Sequence, residues 1–266
     1  MTAASQRPLK IGLHLPNGNG YVGCGIERWH EVLTMARLAE EAGFDSVGVA
    51  DHMLFRFDDG LTQGRWEVWS LLAAIAARTN RIQLSPLVSC MGFRNPGMLA
   101  KIAETVDEIS NGRLILGIGA GWHEPEYVAY GFPFDHRVSR FEEGLSIVHG
   151  LLKDGHVNFD GQYERAIDCE LVPRGPRPGQ IPIMIGSTGE RMLGLVARYA
   201  DIWTSSWVKE PWEIAPLRAA VDAACNKAGR DLATLARSAC VLIDLPQRDL
   251  DMQYTAARDG RIGSST

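Results

Sequence analysis
The chain has 266 residues, 45% hydrophobic and 22% charged, ordinary globular composition with length for one large core or two small domains. Its formal net charge of −5 argues against nucleic acid or an anionic membrane as the main partner, while leaving room for a local basic pocket. Five scattered cysteines (Cys24, Cys90, Cys169, Cys225, Cys240) without a C-x-x-C pair, a start without an apolar signal core, and no apolar run near the ~20 residues of a membrane span lead to the expectation of a soluble, cytoplasmic protein with neither a disulfide nor a metal framework.

Apolar runs of strand length alternate with amphipathic runs of helix length. Strands are predicted at Lys10–Pro16, Ser46–Ala50, Ile82–Ser89, Leu114–Ile118, Ile181–Ile185, Ile202–Ser205 and Ser238–Ile243. Helices are predicted at about Glu27–Ala42 with Gly43 as its C-cap, Glu67–Arg78, Gly97–Ser110 ended by Asn111-Gly112, Val138–Leu152, Gly189–Tyr199 and Trp212–Ala228. One insertion, about residues 155–180, breaks the rhythm with a hairpin turn signal at Asp160-Gly161 and a proline-rich loop from Pro173 to Pro178.

Repeated strand–helix units imply parallel strands with right-handed crossovers, and strands apolar on nearly every position imply a sheet covered on both faces. Seven such units favour an α/β barrel of the TIM (β/α)8 type, which typically takes about 250 residues, as a single domain over 1–266. No eighth unit is read in the 23 residues after Ile243, so the barrel is expected to be open there, completed by a partner chain, or truncated.

The stretch Arg113–Arg140 is the most informative. In its strand Ile115, Gly117, Gly119 and Gly121 share one face, while Leu114, Leu116 and Ile118 share the other. Three missing side chains on one face admit two readings: a hollow at the barrel mouth for something flat, or close packing that needs small residues. Pro125 then falls in the first turn of a helix, where Glu124 and Glu126 suit the positive helix end without any function.

Barrel chemistry sits at the carboxyl ends of strands. His14 ends the first strand and points into the barrel if its apolar neighbours Leu13 and Leu15 face the helices. Asp51-His52 follows the second strand, and a histidine there can exchange a proton near neutral pH. Gly186-Ser187-Thr188-Gly189 joins a strand to a helix and reads either as an anion cradle, with Arg191 close by, or as a capped turn. There is no G-x-x-x-x-G-K-[ST], no G-x-S-x-G and no H-E-x-x-H, and Gly117–Gly121 is too short for a dinucleotide fingerprint.

These residues carry a resemblance. GRLILGIGAGWHEPEYVAYGFPFDHRVSRFEEGL (Gly112–Leu145), AEEAGFDSVGVADH (Ala39–His52), the RNP of Arg94–Pro96 with ETVDEISNGR (Glu104–Arg113), and PIMIGSTGERMLGLVARYADIW (Pro182–Trp203) resemble the bacterial luciferase-like monooxygenase superfamily, especially its deazaflavin F420-dependent oxidoreductases. The resemblance runs from about Leu9 to Ile243. It implies a TIM barrel that binds a reduced flavin-type cofactor, F420 or FMN, at the carboxyl end, and a homodimer. By position, His52 resembles the active-site histidine, and Asp51 and His14 line the cofactor. Leu87-Val88 stands at the family's non-prolyl cis peptide behind the ring. Gly119, Ala120 and Gly121 lie beside the ring, and Gly186, Ser187, Thr188 and Gly189 hold the phosphate. Trp122 stands where some F420-dependent dehydrogenases carry a catalytic glutamate, which argues against a sugar-phosphate dehydrogenase.

The expected activity is therefore an oxidoreductase acting on a small organic substrate, by hydride transfer with F420 or oxygenation with reduced FMN. Two other readings stand beside it: a catalytically silent flavin-binding homologue, and a metal-dependent barrel hydrolase built on His14, His52 and Asp51.

Overall fold
A computed structural model describes residues 9–19, 28–57 and 59–243. In chain order the elements are β1 (Gly12–Leu15), α1 (Trp29–Ala42), β2 (Ser46–Val49), β3 (Leu54–Arg56), β4 (Thr62–Gly64), α2 (Val68–Ala76), β5 (Gln83–Pro86), β6 (Ser89–Cys90), α3 (Pro96–Ser110), β7 (Leu116–Gly119), α4 (Glu124–Tyr130), α5 (Arg137–Asp154), β8 (His156–Asp160), β9 (Arg165–Glu170), β10 (Ile183–Gly186), α6 (Glu190–Tyr199), β11 (Ile202–Val208), α7 (Ile214–Lys227) and β12 (Ala236–Val241).

Local chemistry sets the boundaries. Gly43 closes α1 in the left-handed conformation at φ 87°, accessible to glycine at little cost. Asn95 caps α3 by accepting from Met98 N, Pro96 fills its first turn, and Asn111 ends it at φ 55°. Glu67 caps α2 by accepting from Trp69 N and Ser70 N.

The barrel strands are parallel and follow chain order. β1 pairs with β2 and β2 with β5. β6 pairs with β7, β7 with β10, β10 with β11, and β11 with β12. Leu84 N to Arg113 O (3.0 Å) and Ile115 N to Leu84 O (2.8 Å) join the two sets. The result is the α/β architecture of a TIM-type barrel with seven strand positions, in which β5 and β6 are halves of one strand interrupted by a cis peptide at Leu87–Val88. Among the described residues β1 and β12 do not pair, and the stretch read as lacking an eighth unit lies outside them.

Val47, Val49, Leu116, Ile118, Ile183, Ile185 and Trp203 form the buried layer between strands and helices. One feature departs from the sequence reading: the loop after β2 contains an antiparallel hairpin, β3–β4. The helix read with Pro125 in its first turn is α4, a separate element ahead of α5. The hairpin expected near Asp160-Gly161 is β8–β9.

The floor of the barrel is held by one cation. Arg113 is 9% exposed, and its guanidinium donates to Ser110 O, Thr79 Oγ1, Ile82 O, Ala76 O and Thr79 O at 2.7–3.0 Å. It thereby ties the end of α2, the start of β5 and the end of α3. Arg113→Ala should lower unfolding free energy by about 3 kcal/mol, because buried carbonyls lose their donors. Arg113→Lys should recover less than half, since an ammonium lacks the planar fork. Urea midpoints at unchanged m-value check both.

Candidate active site
The loop after β2 is fastened before it reaches His52. Asp51 is 4% exposed, and its Oδ2 accepts from Ser89 Oγ (2.9 Å), Cys90 N (2.9 Å) and Arg94 Nη1 (2.5 Å), while Oδ1 accepts from Arg94 Nη2 (3.0 Å). Arg94 Nη2 also reaches Glu67 Oε1 (2.7 Å), so the cap of α2 joins the cluster. Asp51 was expected to line a cofactor. Its carboxylate is instead occupied by internal donors, and its geometry fits a pin that stitches the β2 loop to the strand break at Leu87–Val88.

His52, next in the chain, turns toward α4. Its Nδ1 donates to Glu126 Oε1 at 2.8 Å, and Met53 N donates to Glu126 Oε2 at 2.9 Å. Glu126 is 1% exposed whereas the His52 side chain is 18% exposed, so a buried carboxylate backs a ring that reaches the surface. Sequence reasoning gave Glu126 no function, because an acid in a first helical turn needs none. No signal in the chain distinguishes it from Glu124, since the choice depends on which side of α4 meets the β3–β4 hairpin.

An aromatic wall flanks His52. Its ring centroid lies 4.3 Å from Phe55 and 5.6 Å from Trp122, and His123 is 5.2 Å from both of those rings. His123 Nε2 accepts from Arg56 N (3.2 Å), and burial holds its pKa below the usual histidine range.

His14 faces the interior, as expected. Its ring lies 5.4 Å from Trp207 at the end of β11, a strand that does not neighbour β1. Burial first, then the nearby charges of Arg65 and His52, lowers its pKa to about 4, so it is neutral at pH 7. Asn17, fully buried just after β1, donates to Ala50 O (2.9 Å) and Trp66 O (3.2 Å), and was not singled out from sequence.

The glycine face corrects the hollow reading. A Cβ at Gly117 would meet Pro86 O at 2.2 Å, and one at Gly121 would meet Tyr127 Oη at 2.0 Å and Cys90 Sγ at 2.6 Å. Those two positions are packed against neighbouring segments, so close packing is the reading that holds there. Tyr127 Oη and Cys90 Sγ bond at 2.8 Å, and burial raises both their pKa values, Cys90 to about 12, so neither is a base at neutral pH. Gly119 differs. Its Cβ would meet Val88 Cγ2 at 2.8 Å, a Cβ at Gly186 would meet Val88 Cγ1 at 3.3 Å, and one at Gly48 would meet Leu87 Cδ2 at 3.1 Å. Three glycines from β2, β7 and β10 thus make room for the half-buried Leu87–Val88 pair, with the half-buried Ala120 following Gly119.

The Gly186–Gly189 turn is open. Thr188 and Gly189 are exposed, a Cβ at Gly189 would meet nothing within 4 Å, and Gly189 N donates to Ser187 Oγ (3.3 Å). Trp203 Nε1 fixes the turn by donating to Ser187 O (2.7 Å). Beyond Arg191 a cleft of about 360 Å³ is lined by Phe134, His136, Arg137, Val138, Ser139 and Arg191. Arg191 itself donates to Ser139 Oγ (3.1 Å) and Glu142 Oε2 (2.6 Å). The hydrolase alternative gains nothing from this geometry: Asp51 is held by Arg94 and His52 by Glu126, and no group of three metal-ligating side chains converges among the described residues.

Comparison with known proteins matches residues 9–257 to the family model for luciferase-like monooxygenases. The chain is 31% identical over 234 residues to a 5,10-methylenetetrahydromethanopterin reductase of Archaeoglobus fulgidus, covering 87% of this chain and 65% of that protein. It is 34% identical over 177 residues to an F420-dependent glucose-6-phosphate dehydrogenase of Amycolatopsis mediterranei, covering 64% and 50%. The solved coenzyme F420-dependent tetrahydromethanopterin reductase of Methanopyrus kandleri shares the fold at a TM-score of 0.71 and 21% identity, over 86% of this chain and 65% of that one. The chain therefore spans between half and two thirds of the length of these proteins. No helix among the described residues is long and apolar enough to cross a membrane.

Asp51→Ala should destabilise the fold by about 3 kcal/mol in urea denaturation, because it removes the buried partner of the half-buried Arg94 guanidinium and leaves only the more exposed Glu67. Acid should act through His14. Its folded pKa of about 4 lies below the 6.5 of an unperturbed histidine, so between those values the unfolded chain binds a proton that the folded one resists. Stability should fall as pH drops through that window, by at most about 3 kcal/mol, and His14→Asn should flatten the slope of urea midpoint against pH.

Proposed function
The chain belongs to the luciferase-like monooxygenase family, and from that premise we propose that it is an oxidoreductase using a flavin-type cofactor on a small organic substrate, with F420 favoured over FMN. The observation that carries the reading is the His52–Glu126 pair, fixed beside the Leu87–Val88 break by the Asp51 pin.

The residues present fit such a cofactor on two counts. Val88, seated between Gly119 and Gly186, offers a half-buried apolar back wall for a flat ring. The open Gly186–Gly189 turn, with Ser187 and Thr188 and the arginine-lined cleft beyond it, offers backbone N–H groups and cations to a phosphate. When bound, F420 would exchange a hydride with the substrate, whereas reduced FMN would support oxygenation.

The chain's own work is positioning and proton movement. With Nδ1 donating to Glu126, the neutral His52 ring carries its acceptor at Nε2. Nε2 takes a proton from substrate, or returns one in the reverse direction, and the Glu126 carboxylate stabilises the imidazolium that results. His14, neutral at pH 7, contributes a polar ring without adding charge to the mouth. The proposal extends to a cytoplasmic homodimer; sedimentation of the purified chain tests the dimer.

Absorbance of the material retained after dialysis against each cofactor tests the assignment. F420 should be held at least about tenfold more tightly than FMN. Retention of neither overturns the proposal, and retention without turnover on carbonyl, enone and imine substrates favours the silent homologue. His52→Ala should cut kcat by about 10²–10⁴-fold while cofactor affinity changes little. Equal losses in both would make His52 structural.

A further inference from the structure
Two groups of rings meet α4, and they are built differently. Phe93 and Tyr127 are buried and pack with Phe132 and Phe134 as a core cluster. The second group, Phe55, Trp122 and His123, stands at the surface beside His52. Trp122 is 53% exposed although its ring lies within 5.9 Å of Phe55 and 5.6 Å of His52. Trp69 (4%) and Trp203 (2%) bury their rings, whereas Trp122, like Trp29, Trp66, Trp207 and Trp212, is exposed; what sets Trp122 apart is its place beside His52 and Phe55. Hydrogen bonds rather than this ring fasten the β3–β4 hairpin to α4: Met53 N to Glu126 and Arg56 N to His123. The Trp122 face is left over from the architecture.

The hydrogen-bonding groups around the wall already have partners. His123 accepts from the backbone through Nε2 and is neutral at pH 7, and both Glu126 oxygens are engaged. Arg65 lies over Phe55, 4.9 Å from its centroid, with Nη1 donating to Asn19 O and Gly64 O and Nη2 to Gln63 Oε1. We propose that Trp122 and Phe55 form a stacking subsite next to His52 for the planar, uncharged ring of the substrate, so that this enzyme acts on flat cyclic molecules rather than on sugar phosphates. The proposal rests on His52 as the acting group, and it goes further by assigning the substrate class. Stacking holds the ring against the wall and leaves its polar substituent within reach of His52. An aromatic face gives a saturated ring less contact, and a carboxylate or phosphate would lie close to the buried Glu126 charge.

Calorimetric titration of the cofactor-loaded protein with three probes tests this: 2-acetylnaphthalene (planar, uncharged), cyclohexyl methyl ketone (same carbonyl, saturated ring) and 2-naphthoate (planar, anionic). The planar ketone should bind at least about tenfold more tightly than either of the others, in line with aromatic stacking energies. Trp122→Ala should reduce that preference to about threefold or less, while Trp122→Phe should keep most of it. Because Trp122 is exposed, both variants should fold, and circular dichroism verifies it. A preference that survives Trp122→Ala, or tighter binding of 2-naphthoate or glucose 6-phosphate than of the planar ketone, would overturn the subsite. The same titration on cofactor-free protein separates the two ideas. If no cofactor is retained but the Trp122-dependent preference persists, the redox reading fails and the subsite stands; if cofactor is retained and the preference is absent, the subsite fails alone.

Discussion
The site depends on the four hydrogen bonds gathered by Asp51. A loop that leaves a barrel strand is free to swing, and a histidine on such a loop would be of little use to chemistry that tolerates only small errors in distance. Asp51 removes that freedom by accepting from Ser89 Oγ, Cys90 N and both Arg94 nitrogens. Those donors lie after β5, so the histidine at the next position and the strand break at Leu87–Val88 become one unit. Trp69 Nε1 reinforces it from α2 by donating to Ser89 Oγ (3.2 Å). A buried side chain thus ties the segment that carries His52 to the one that follows Leu87–Val88.

Backbone approach matters as much as side-chain bonding. The Leu87–Val88 pair projects toward β2, β7 and β10, and each offers it a glycine: Gly48, Gly119 and Gly186. Contacts of 2.8–3.3 Å between hypothetical Cβ atoms and these side chains mean that larger residues would push Leu87 and Val88 aside. The three glycines belong to three distant segments of sequence. Their common purpose is visible only once the barrel brings the strands side by side.

This also explains what could be read from the chain beforehand. The order and kind of elements followed from apolar periodicity and from cap residues such as Gly43, Asn95 and Asn111, whose causes are local. The Asp59-Gly60 pair between β3 and β4 is likewise a local turn signal, and it was the available clue to the overlooked hairpin. Period-two alternation groups Gly117 and Gly119 within β7, whereas Gly121 lies beyond the strand at φ 76°, and the alternation carries no knowledge of what stands opposite. Tyr127 and Cys90 fill one gap and Pro86 another, so only Gly119 keeps the relation to a ring wall that was inferred for all three. The bonds that engage the Asp51 carboxylate were not legible, because adjacency to His52 does not reveal the guanidinium waiting after β6. Glu126 was hidden by an adequate local explanation, the helix N-terminus.

The buried acids give a second, independent reason to look at Glu126. Among the described residues four carboxylates are buried: Asp51, Glu104, Asp107 and Glu126. The first three face arginines, namely Arg94, Arg174 and Arg177. An arginine stays charged at any accessible pH, so those pairs are fixed in one state and serve the fold. Glu126 alone faces a histidine, a ring that can both donate and accept a proton. A buried carboxylate whose partner is an imidazole rather than a guanidinium lacks a permanent countercharge. Its value lies in the moment the ring takes a proton: the countercharge is already in place, desolvated and oriented, and needs no reorganisation. That asymmetry, one carboxylate–histidine pair beside three carboxylate–arginine pairs, is the reason His52 rather than the other paired groups is proposed to act.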